Sequence, residues 1–280
     1  MKFVQLILAS LAFICSAAYA EDDAPGAVGA ESYLQQADQA VREGRLTQAQ
    51  HMIYWLEQNS DAISRDDLAL VKAEFAVVKN DLAGAVTALD NIEDKSRNLC
   101  RQDTARGWVA ANRNALDKAI LSLANAAKNC PNDAGIWNLL GLAFVRKGET
   151  AAGNEAFEQA LILAPDNSDL LNNHALALMQ HGQIALAKQQ LDRAAKMSPE
   201  NRLIAANRDF VAGMTGQTPI RGQSESDAVW SERLINTAKG AKAADHSPQA
   251  TALFSRALLL MDRFDGGVWS EIKPHTDDNR

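Results

Sequence analysis

The chain has 280 residues, with 35 acidic against 28 basic side chains and a formal net charge of −7. An acidic protein with no basic patch repels phosphate backbones, so nucleic acid is not an expected partner. Aromatic residues make up only 6% of the chain, alanine is abundant and β-branched runs are few, so the sequence reads as all-α.

The N-terminus carries an export pattern. Lys2 supplies a positive start, Leu6 to Cys15 forms a short apolar run, and Ala18-Tyr19-Ala20 precedes Glu21. This predicts a signal peptide over 1–20, cleaved after Ala20, and a periplasmic location. The rival is a membrane anchor, for which the run is short, since a spanning helix needs about 20 apolar residues. Lipidation would require a small residue before Cys15, where Ile14 stands. No later segment is apolar and long enough to span, so no integral membrane segment is expected in the mature chain.

Beyond a disordered stretch over 21–29, the chain repeats. Pro131, Pro165 and Pro199 are spaced by 34, as are Gly148, Gly182 and Gly216, and Ala126, Ala160 and Ala194. A fixed period of this length is the mark of a solenoid of stacked supersecondary units. Each period holds two helices. In 134–167, Trp137, Leu140, Gly141 and Phe144 fall at helical spacing. Gly148 then marks a turn, Gly153, Phe157 and Ala160 share a second helical face, and Pro165 stops that helix.

The repeat over 168–201 fits equally, and that over 100–133 fits without its first large aromatic. Weaker repeats cover 30–62 and 66–99. Together with a lone first helix over 202–217 they give an array spanning 30–217. A polar Pro- and Gly-containing linker over 218–226 leads to a helical hairpin over 227–272, and 273–280 reads as a disordered tail.

Cys100 and Cys130 remain after processing. An even count in an exported chain suggests one disulfide, the alternative being two buried thiols. Antiparallel helices favour the bond, because the start of the first helix lies beside the end of the second.

Trp137, Leu140, Gly141, Phe144, Gly148, Gly153, Phe157, Ala160 and Pro165 resemble the signature of the tetratricopeptide repeat. That resemblance implies an all-α solenoid of antiparallel helix pairs that binds other proteins. Stacked first helices line its usual binding groove. Carried over place by place, the groove residues are Thr104, Trp108 and Asn112, then Asn138, Leu142, Val145 and Arg146. They continue with Asn172, Asn173, Leu176 and Met179, and end with Asn207 and Phe210. Side-chain amides both donate and accept, so a line of them offers bonds to the backbone of an extended peptide. The alternative is polarity kept for solubility.

No GxSxG, HExxH, CxxC or Gly-rich phosphate loop occurs, so no enzyme activity, cofactor or metal is expected. His174 and His181 share a helix face but read as a packing residue and a helix end. The run over 172–217, with its lone helix AANRDFVAGMTGQ, resembles the TadD family of tight-adherence (Flp) pilus assembly. The resemblance implies a scaffold helping to assemble a pilus or secretion system, with secretin or pilus components as partners. The alternative is a periplasmic scaffold for polysaccharide export or cytochrome maturation.

Overall fold

The computed structural model describes residues 29–59, 63–96, 98–261, 267–268 and 271. The expected signal peptide and the tail over 273–280 lie outside them. Among the described residues the chain forms thirteen α-helices and no strand. The fold is an all-α solenoid built from helix pairs.

Two units divide it, one ending at Leu163 and the other starting at Ala164. The first unit holds α1 (Ala30–Arg42), α2 (Leu46–Gln58), α3 (Arg65–Val78), α4 (Leu82–Asp90), α5 (Leu99–Asn112), α6 (Leu116–Asn129), α7 (Ala134–Lys147) and α8 (Thr150–Leu163). The second holds α9 (Ser168–Gln180), α10 (Ile184–Met197), α11 (Arg202–Met214), α12 (Asp227–Ala243) and α13 (Ser247–Leu258).

Turn chemistry explains the boundaries. Gly148, Gly182 and Gly216 all have positive φ, at 90°, 76° and 73°. Two repeats upstream, Asn80 and Asn114 take the same place with φ of 58° each. Asparagine tolerates this left-handed conformation better than other side-chain-bearing residues. The glycine ladder therefore extends upstream by two steps in a different residue type.

Helix starts show a second ladder. Asp133, Asn167 and Asn201 each accept from the N–H groups two and three places ahead, over 2.8 to 3.3 Å. Such a cap contributes about 1 kcal/mol.

Small residues bring the paired helices close. Ala119, Ala126, Ala160, Ala187 and Ala194 are fully buried. In α7 and α8, Gly141 faces the ring of buried Phe157, where a Cβ would stand 3.0 Å from the ring carbons. Cys100 and Cys130 are joined by a disulfide with a Cα separation of 5.9 Å, linking the start of α5 to the end of α6. In the chain-entropy account, closing a loop of this size contributes roughly 3–4 kcal/mol.

The C-terminal part differs from the expectation of a lone helix, a linker and a separate hairpin. α11 has a partner, because α12 packs along it much as a second helix does in the other pairs. A Cβ at Gly240 would overlap the Phe210 carbonyl oxygen, and one at Gly213 would overlap that of Thr237. The two backbones meet where both helices lack side chains.

The segment over 218–226 lies tied down. Arg233 donates to the Ile220 carbonyl at 3.3 Å and to both Glu225 oxygens at 3.2 Å. Gln249 reaches the carbonyls of Gly216 and Gln217 at 3.1 and 3.3 Å. Arg233 also grips buried Asp209 of α11 with two nitrogens, at 3.1 and 3.3 Å. One guanidinium thus fastens strap, α11 and α12 together.

Candidate protein-binding surface

The first helix of each pair carries a reference position six places before its left-handed turn residue. Read in chain order, Asp38, Glu74, Trp108 and Leu142 occupy it in the first unit, and Leu176 and Phe210 in the second. In the first unit α1 touches α3, α3 touches α5 and α5 touches α7. These residues therefore share a face, and its chemistry changes along the row from acidic to apolar.

The acidic end is closed by ion pairing. Arg101 of α5 donates through Nε to Glu74 at 2.8 Å and through a second nitrogen to both Glu74 and Asp38. Arg42 also binds Asp38, at 2.9 Å. Burial works against the Arg101 charge, but the hydrogen bonds and attraction of Glu74 and Asp38 outweigh it and raise the guanidinium pKa. Three first helices are held through one side chain that the expected groove residues left out. The sequence signal was available: once Asn80 is read as the turn residue that matches Gly44, Asp38 and Glu74 fall in one register.

At the apolar end, the structure sorts the expected groove residues. Asn138, Leu142 and Arg146 of α7 are half-buried, whereas Val145 is buried and packs toward Gly153. Trp108 is buried, at 8% exposure, within the core that α5 shares with α3 and α4. It is a core residue first, which corrects its expected place as an open groove contact. Asn112 and Thr104 are half-buried and bond within their own helix, to the carbonyls of Trp108 at 2.9 Å and Cys100 at 2.7 Å.

In the second unit one residue of the expected amide line lies out of reach of solvent. Asn172 is only 4% exposed. Its oxygen accepts from Asn207 of α11 at 2.8 Å, and its nitrogen approaches the Asn173 oxygen at 3.5 Å. One hydrogen bond thus links Asn172 and Asn207 across two first helices, and Asn172 is turned into that contact. Leu176, Met179 and Phe210 remain half-buried. Met179 backs onto the α9–α11 core, leaving Leu176 and Phe210 as the clearest apolar contact positions.

This pairing predicts a stability effect. Asn207→Ala strands the buried Asn172 oxygen and should cost about 1–3 kcal/mol. Urea unfolding of the variant against the wild type measures it.

Comparison with known proteins adds to this geometry. Residues 134–167 match the tetratricopeptide repeat family. This tetratricopeptide repeat is α7 with α8 and the turn that follows, the pair in which Gly141 meets Phe157. No curated protein matches the chain in sequence.

Among solved structures, one from Pseudomonas aeruginosa, "Functional Characterization of Pseudomonas Aeruginosa pilF", is 17% identical with a TM-score of 0.53. The alignment covers 87% of this chain and 94% of that one. At that identity the likeness is one of fold. A second, "Crystal structure of MamA", is 16% identical over 63% of this chain and 96% of its own, with a TM-score of 0.46. A third, "MamA AMB-1 C2221", is 19% identical over 60% and 98%, with a TM-score of 0.44.

Among the described residues no cluster of three or more His, Cys, Asp or Glu side chains has a metal-holding arrangement, and no helix is long and apolar enough to cross a membrane.

Proposed function

We propose that this chain is a periplasmic, non-catalytic scaffold that holds other proteins on the first-helix faces of its pairs and helps assemble a Flp/Tad-type pilus or secretion system. The observation carrying the scaffold reading is the split character of those faces. The Asn172–Asn207 bond and the Arg101 ion pairs join helices, while Leu142, Leu176 and Phe210 stay half-buried. Partner recognition then rests on apolar contact more than on amide bonds to a peptide backbone.

The Asn172–Gln217 resemblance to TadD supports the pilus reading. The export pattern over 1–20 and the Cys100–Cys130 disulfide support the periplasmic one, because such bonds persist in oxidising compartments.

The test is cross-linking and co-purification from the periplasm with the wild type and with a Leu176→Asp/Phe210→Asp variant whose helicity is first checked by circular dichroism. Pilus or secretin components should be captured by the wild type and lost by the folded variant. Equal capture by both would refute the apolar site. Recovery of the chain in the cytoplasmic fraction, or of partners from another envelope process alone, would refute the assignment to pilus assembly.

A further inference from the structure

The first turn of α5 gathers an unusual share of the ties between helix pairs in the first unit. Asn98 donates to Asp67 of α3 at 3.1 Å. Arg101 binds Glu74 of α3 and Asp38 of α1. Gln102, only 1% exposed, donates to the carbonyl of Asp94, in the loop after α4, at 3.2 Å. Beyond this turn the contacts of α5 become apolar, through Ala105, Trp108 and Val109.

That turn has no side-chain cap of its own. Asn98, its N-cap, sits in the left-handed region at φ 51°, and its side chain makes no capping bond. An uncapped helix start leaves N–H groups without a helical partner and frays readily. Cys100 lies inside this turn, and its disulfide ties it to Cys130 at the end of α6.

We infer that the Cys100–Cys130 disulfide is a redox-sensitive clasp that acts through Arg101: oxidised, it keeps the first turn of α5 formed and thereby holds α1 and α3 in register with α5. Reduction by a dithiol transfers two electrons and two protons to the bond, leaving two thiols while the reductant closes to its own disulfide. The freed turn then frays, and Arg101 loses the position from which it bridges Asp38 and Glu74. The apolar contacts of Ala105, Trp108 and Val109 stay, so the pairs loosen along their charged face without separating.

Hydrogen exchange of the full chain, read by mass spectrometry, tests this in three samples: oxidised wild type, wild type treated with dithiothreitol, and oxidised Arg101→Ala. A Cys100→Ser/Cys130→Ser variant stands in for the reduced form if reagent interferes. Reduction should speed exchange in α1 and α3 by about tenfold or more, the scale set by losing a charge-assisted hydrogen bond. Arg101→Ala should do the same in α1 and α3 while α5 and α6 stay protected. Helices α9 to α13 should not change in any sample.

Unchanged exchange of α1 and α3 on reduction would show a staple local to α5 and α6 and overturn the clasp. Unchanged exchange in Arg101→Ala would overturn the route through Arg101. A uniform rise through α9 to α13 would also overturn it, since the bond would then serve general stability alone.

Discussion

Arg233→Ala is expected to lower stability by about 3–5 kcal/mol, the cost of leaving a buried charge without its partner. Asp209 is 5% exposed at its side chain and Arg233 23%, so solvent screens the pair little. The variant also releases Glu225 and the Ile220 carbonyl, which frees the strap over 218–226. Burial pushes the Asp209 carboxyl above the usual carboxylate range, with the hydrogen bond and charge of Arg233 pulling against it.

Removing Arg233 lets burial act with less opposition, so the folded-state pKa rises further above that of the unfolded chain. A raised acid pKa means that the folded state holds the extra proton, and stability then falls as pH rises through that window. The destabilisation should be largest near neutral pH and should shrink as pH falls toward about 4, the unfolded value for aspartate. Chemical denaturation at several pH values measures both the size and the sign. Equal losses at neutral and mildly acidic pH would contradict a buried, partnered Asp209.

Phe157→Ala is expected to cost about 3–5 kcal/mol, the range for removing a buried aromatic side chain and leaving a cavity. Phe157 is 1% exposed and its ring lies against Gly141. Its effect should couple to that glycine. In the wild type, Gly141→Ala sets a methyl group 3.0 Å from the ring, and crowding opposes the helix-propensity gain. In the Phe157→Ala background the ring is absent, and alanine should stabilise by about 1 kcal/mol over glycine. Thermal melts of both single variants and the double variant give the coupling. Additive effects would mean that the ring does not press on position 141.

Much of this fold was legible because its determinants are local. The period of 34 in Gly148, Gly182 and Gly216, and the prolines that close each repeat, reflect turn geometry that a few neighbouring residues impose. Antiparallel pairing placed Cys100 beside Cys130 for the same reason, since one turn determines which helix ends meet. Asn114 stands in the place of the turn glycine, and Asn80 hid one further turn because a different residue performs the glycine's role.

Local pattern was enough for the helix-pair repeat and most of its turns, and it favoured the disulfide over two free thiols. Which polar residues join helices depends instead on long-range packing. Asn172 and Asn207 occupy groove places, yet they bond to each other across 35 residues. Arg101 meets Glu74 across 27 residues and Asp38 across 63. The strap after α11, polar enough to read as a linker, is fastened by Arg233 from a helix that follows it. A polar side chain is equally content with water, a ligand or another side chain, because each offers comparable hydrogen bonds. Packing alone settles which of them lies within reach, and packing depends on helices brought together from distant parts of the chain.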